Sequence, residues 1–141
     1  MFYKQYEDRL QEWRDFRVTL ETAEDPLQAA IDQYAQAPTV RIQTDPWDQD
    51  TWPSPWELIL ENQYCEFCKL LGICYSLQLT DKFSASTFEI HIEVDREEGR
   101  NYYLLYVDHQ VIGYDERSYI HRTDLPKTLD SQLVYVMKPL N

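Results

Sequence analysis

The chain has 141 residues, 43% of them hydrophobic, which is enough for one domain with its own core. Its 25 acidic residues against 13 basic ones leave a formal charge of −12, which argues against a phosphate-binding surface and hence a nucleic-acid partner. No apolar run approaches the length that spans a bilayer, and the charged start MFYKQYEDRL does not read as a signal peptide, so no membrane association is expected.

Residues 4–20 carry Tyr6, Leu10, Trp13, Phe16 and Leu20 as a helical stripe with charges on the other face. Asp25-Pro26 reads as the cap and first residue of a second helix, lined by Leu27, Ala30, Ile31 and Tyr34 and ended by Pro38. Thr39 to Thr44 alternates, with Val40 and Ile42 on one side, and predicts a short strand. Residues 1–44 thus form an N-terminal helical region. It either packs on the body at 45–141 or extends as an arm onto a neighbour, and both readings stay open at this stage.

The chain is organised around residues 45–72. Three prolines at 46, 53 and 55 predict an ordered loop over Asp45–Pro53. Ser54 and Glu57 make a capping box, with Pro55 at the first helical position. Trp56, Ile59, Leu60, Tyr64, Phe67, Leu70 and Leu71 then predict one buried helix running to Gly72, which suits a left-handed end residue. Trp47, Trp52 and Trp56 are first expected to pack and clamp the helix start. The alternative is an aromatic interface for a partner, joined by Tyr6 and Trp13 of the first helix.

After Gly72 the apolar period becomes two. Strands are expected at Ile73–Leu79, Phe88–Val94, Asn101–Asp108, Val111–Tyr114, Ser118–Arg122 and Gln132–Met137. The NYYLLYVD run is apolar on both faces and predicts a central strand, and Gly113 a bulge. Short connections imply an antiparallel meander. The fold class is α+β: N-terminal helices, then one central buried helix packed on an antiparallel β meander.

One constellation could carry chemistry. Cys65 on a helix, His91 on a following strand and Asp108 on the next supply a thiol nucleophile, its base and an orienting carboxylate. This element order, over about residues 55–110, resembles the core of transglutaminase-like and papain-like enzymes. The resemblance implies attack of Cys65 on an amide carbonyl, with His91 taking the thiol proton and Asp108 holding the imidazole. Against it, Cys65 falls about three turns inside the predicted helix, away from the terminus that would lower its pKa. No Gly flanks it, and His91 alternates with Glu89 and Glu93 on a polar strand face. The expectation is no catalysis, with Cys65 buried and His91 facing solvent or an interface.

Cys65 and Cys68 form C-x-x-C, but no second pair completes a zinc site and no βαβ context supports redox chemistry. Reduced, buried thiols are expected. Asp45, Asp48 and Asp50 lack the Gly and further ligands of a calcium loop. The trio Glu89, His91 and Glu93 would hold a metal only if its side chains converged. No cofactor and no metal are expected.

The wording of the sequence is more specific than its chemistry. DPWDQDTWPSPWELI, YCEFCKLLGICYSLQLT, FEIHIEVD and YYLLYVDHQVIGY together resemble a family of small uncharacterised proteins of T4-like tailed phages of marine cyanobacteria, over roughly residues 12–115. The resemblance implies a phage context and a bacterial host cytoplasm. With the aromatic, acidic composition, the first expectation is a structural or interaction protein of the virion, at the neck or tail. Its partners would be other virion proteins or further copies of itself. An alternative is an early phage protein that binds and modulates a host protein through its acidic surface.

Overall fold

The computed structural model describes residues 1–41 and 44–140. Four helices precede five strands: α1 (Tyr6–Thr22), α2 (Pro26–Ala35), α3 (Pro55–Glu61), α4 (Glu66–Gln78), then β1 (Phe88–Asp95), β2 (Asn101–Val107), β3 (Gln110–Ile112), β4 (Tyr119–His121) and β5 (Leu129–Val136). The fold is α+β, with helices on one face of a five-stranded antiparallel sheet. Among the described residues no helix is long and apolar enough to cross a membrane.

Local chemistry explains the helix starts. The Asp25 carboxylate accepts the Gln28 N–H, and Pro26 opens α2. The capping box is complete at α3: the Glu57 N–H donates to the Ser54 hydroxyl and the Ser54 N–H to the Glu57 carboxylate. The bond from the Ser54 backbone N–H, and after it one from the Ser54 side chain, holds the Glu57 carboxyl below the usual range.

The single helix expected over 55–71 is two helices. Asn62 takes a left-handed conformation (φ 52°) and ends α3, while its side-chain amide donates to the Phe2 carbonyl. Arg9 donates to the carbonyls of Ile59 and Leu60, satisfying acceptors at the end of α3 with a cation. Cys65 then caps α4, its sulfur accepting the Cys68 N–H at 3.4 Å.

The strand expected at Ile73–Leu79 is also corrected, because α4 runs through it to Gln78. Every residue from Leu70 to Gln78 is buried, so the apolar pattern has no polar face from which a period could be read. Gly72 is not a helix end. It lies inside α4 under the Tyr34 ring, where a Cβ would sit 2.3 Å from a ring carbon. Only glycine lets α2 and α4 approach this closely.

Of the two readings of the N-terminal region, the structure has it packed on the body. Phe2, Trp13, Leu20, Leu27, Ala30, Ile31 and Tyr34 share one core with α3, α4 and the inner sheet face. The Trp13 indole N–H donates to the Ser76 hydroxyl at 2.9 Å, and Tyr34 shares that hydroxyl at 3.1 Å. In the short strand expected at 39–44, Thr39 makes one parallel bridge with Tyr64, and Ile42 lies outside the described residues.

The sheet order is β4-β3-β2-β1-β5. The first four strands form the expected meander with β2 at its centre, but β5 departs from it. The chain crosses the outer face over residues 122–128 and pairs β5 antiparallel with β1. Phe88, Ile90, Leu105, Val107 and Ile112 point inward to the helices. Tyr102, Leu104, Tyr106 and Val111 point outward and form a second, smaller cluster against Ile120, Leu125 and Leu129.

Candidate functional site

Three chemical groups from the sequence can now be placed. Cys65 sits at the N-terminus of α4, not three turns inside a helix, so the argument against it from helix position falls. It is nevertheless only 1% exposed, within the core on the helix side of the sheet. No disulfide links the cysteines. The hydrogen bond to Cys65, reinforced by burial, raises the pKa of the Cys68 thiol, and Cys68 also meets the Thr44 hydroxyl at 3.2 Å. Burial likewise raises Cys74.

His91 lies on the other side of the sheet. Alternation along β1 turns Phe88 and Ile90 inward and Glu89, His91 and Glu93 outward. Its imidazole contacts Glu89 at 3.0 Å through Nε2 and Glu93 at 3.5 Å through Nδ1, and stacks on the Tyr106 ring at 3.8 Å between centroids. The Tyr106 hydroxyl donates to Glu93 at 3.0 Å. Burial lowers the imidazole pKa, but the bonds to Glu93 and Glu89 outweigh it and leave it above the ordinary 6.5. The bond from His91 holds the Glu93 carboxyl below its ordinary 4.5. His91 is thus half-buried beneath its partners rather than freely solvated.

Asp108 meets neither group. It occupies the tight β2–β3 turn at φ 53°, and its carboxylate accepts the Thr87 N–H at 2.9 Å. The other two imidazoles stack on each other, His109 on His121, in and beside that turn. The residue of β2 that faces the start of α4 is Tyr103, its ring 5.7 Å from Phe67. His91 faces the side of the sheet opposite Cys65, and His109 and His121 stack on each other beside the β2–β3 turn. The sequence places three suitable side chains in a suitable order, and strand alternation separates them.

The side chains of Glu89, His91 and Glu93 do converge, but as hydrogen-bond partners. No group of three metal-ligating side chains is arranged to hold an ion among the described residues. Asp45 and Asp48 use their carboxylates to accept the Trp47 and Asp50 N–H groups within the loop.

The five aromatic interface candidates divide. Trp13 is 1% exposed and belongs to the core, which corrects its assignment to an interface. Trp52 is held between Phe67 and Tyr135, with its indole N–H on the Asp45 carbonyl. Tyr6 packs at the core margin under Arg9. Trp47 and Trp56 remain open to solvent, at 45% and 53% exposure.

The most open apolar element was not singled out from sequence. β5 is one of the two sheet edges, eight residues long, and exposes Leu133, Val134 and Val136. Trp47 borders it, since the Tyr135 hydroxyl donates to the Trp47 carbonyl. The signal was present in QLVYVM, which lacks the polar alternation of a strand with one wet face. Comparison with protein-family models, curated proteins and solved structures finds no match for this chain.

The burial of Cys65 and Cys68 gives a direct expectation. Iodoacetamide at neutral pH leaves both unlabelled in the native protein, and all three cysteines react in denaturant. Peptide mass spectrometry reads this out. Stoichiometric native labelling of Cys65 would restore the case for an activated thiolate.

Proposed function

We propose that this chain is a non-enzymatic interaction protein of a tailed-phage particle, a neck or tail component made in the host cytoplasm. The observation that carries the reading is the β5 edge, which no strand pairs on its outer side among the described residues. A long edge strand with open apolar side chains is a hazard in a protein that acts alone and a docking element in one that assembles. The dispersed Cys65, His91 and Asp108 support an interaction role over amide chemistry. The phage context comes from the sequence resemblance.

Mass spectrometry of purified particles tests the proposal, and the protein is expected there in stoichiometric copy. Absence from particles, with abundance early in infection, would turn the reading to its alternative, a modulator of a host protein. The −12 charge favours that alternative, since it suits a basic partner.

A further inference from the structure

Two edges bound the sheet, and they are built differently. β4 has three residues and runs directly into the turn at Arg122–Asp124. β5 has eight, with no Pro, Lys or Arg among them. Its one irregularity against β1 lies opposite Ile92/Glu93, ahead of Leu133, and leaves Leu133–Val136 as regular strand. Short length, Pro, charge and bulges are the usual protections of an edge. The second half of β5 has none of them, and among the described residues nothing pairs with its outer side.

The backbone is oriented for pairing. The Met137 N–H donates to the Phe88 carbonyl at 2.8 Å. Along the same register Tyr135 stands opposite Ile90 and Leu133 opposite Ile92, so these alternate residues bond to β1. Val134 and Val136 therefore aim their N–H and C=O groups away from the sheet. Their side chains stand on the outer face, at 46% and 62% exposure, and Leu133 stands on the inner face at 39%.

We propose that β5 pairs antiparallel with β5 of a second copy across a two-fold axis at Val134, joining two five-stranded sheets into one. This rests on the reading of the chain as an interaction protein and names its partner at this edge. Charge favours a second copy. The chain carries −12 overall, yet residues 129–137 contain a single charged side chain, Asp130. A partner chosen for basic charge finds one carboxylate on this strand, already paired with Arg96, and the strand of a second copy sets no like charges opposite each other. Lys138 follows the strand, so antiparallel pairing sets the Asp130 end of each copy beside the Lys138 end of the other. Around the axis Val134 meets its own equivalent, and Leu133 meets Tyr135 of the second copy. Apolar side chains then face each other on both sheet faces, as an isologous contact requires. Trp47, beside Tyr135, lies at the margin of the same seam.

Sedimentation equilibrium of the full chain gives the test. The expected mass is twice the 17.0 kDa of one chain, with Val134→Lys reduced to the single-chain mass at unchanged circular dichroism. Lys at the axis would face its own equivalent, and Val134 is exposed enough to accept it without refolding the core. A wild-type monomer at high concentration, or a Val134→Lys dimer, overturns the proposal. A cross-link keeps it falsifiable if Val134→Lys does not fold. Under mild oxidation V134C is expected to yield a covalent dimer, and V18C, on the exposed face of α1, is not. Equal cross-linking of both, or of neither, also overturns it. The two readings fail separately. A monomer found in particles removes only the pairing, and a dimer absent from particles removes only the particle assignment.

Discussion

Trp13→Ala is expected to lower the unfolding free energy by about 3–5 kcal/mol, the usual range for truncating a fully buried large aromatic. Three losses combine. The indole is 1% exposed and fills the space between α1 and the body. Its N–H is the partner of the Ser76 hydroxyl, which also serves Tyr34 and donates to the Gly72 carbonyl. Its ring carries the Arg17 guanidinium at 4.4 Å and meets the edge of Trp56 at 5.2 Å. Urea unfolding followed by circular dichroism measures the loss. Trp13→Phe keeps most of the packing without the N–H and is expected to fall between wild type and Ala. If α1 were an arm waiting for a neighbour, Trp13→Ala would change stability by less than about 0.5 kcal/mol, as an exposed substitution does.

The same residue shows what the sequence could reveal. The stripe Tyr6, Leu10, Trp13, Phe16 and Leu20 identifies a helix and its buried face, because one side is charged. It does not identify what covers that face, which is a long-range contact with Ser76. The caps at Asp25 and Ser54 were legible because they are local hydrogen bonds between residues three apart. The break at Asn62 was not. Apolar residues continue at helical spacing through Tyr64 and Phe67, and the left-handed turn is fixed by Phe2 and Arg9 from the far end of the chain. Beyond Gly72 the problem reverses, since a helix buried on all sides has no polar face and ICYSLQL fits either period. β1 was legible through the alternation of FEIHIEVD, and β2 through its apolar residues on both faces. The return of β5 to β1 depends on a connection whose route no local pattern encodes.

Of the candidate site, the place of Cys65 was not legible, because the break at Asn62 that puts it at the start of α4 depends on distant residues. His91 was correctly placed on the polar face of β1, and that alternation is what keeps it from the thiol. The interface residues were chosen by size. Size alone cannot separate Trp13, which is 1% exposed, from Trp56, which is 53% exposed although its ring meets that of Trp13. The run QLVYVM reads correctly as a strand, but an apolar run implies cover on both faces, so its exposure was not legible.

Glu93→Leu is expected to cost about 3 kcal/mol, the lower end of the range for breaking a buried ion pair from one side. The Glu93 side chain is 8% exposed and that of His91 15%, so neither stranded partner regains water easily. Removing the carboxylate leaves the Tyr106 hydroxyl and one His91 ring nitrogen without their acceptor. Glu89 stays on the other nitrogen, with Leu104 opposite His91 on β2 and Val134 opposite it on β5. Arg122 is the cation whose field reaches Tyr106. The pair also sets the shape of stability against pH. A folded-state imidazole pKa above 6.5 means that the folded chain holds that proton more tightly than the unfolded chain does. Its stabilisation is therefore full below 6.5 and fades as pH rises through the raised value. The Glu93 carboxyl is lowered from 4.5, so its contribution is full above 4.5 and fades as pH falls through the lowered value. Between these limits both contributions are present. Urea unfolding at several pH values across and beyond this window is expected to show wild-type stability declining on the alkaline side. His91→Gln is expected to lose that decline while keeping a hydrogen-bonding side chain beneath Glu93. Parallel wild-type and His91→Gln profiles would show that the imidazole carries no net charge in the folded protein.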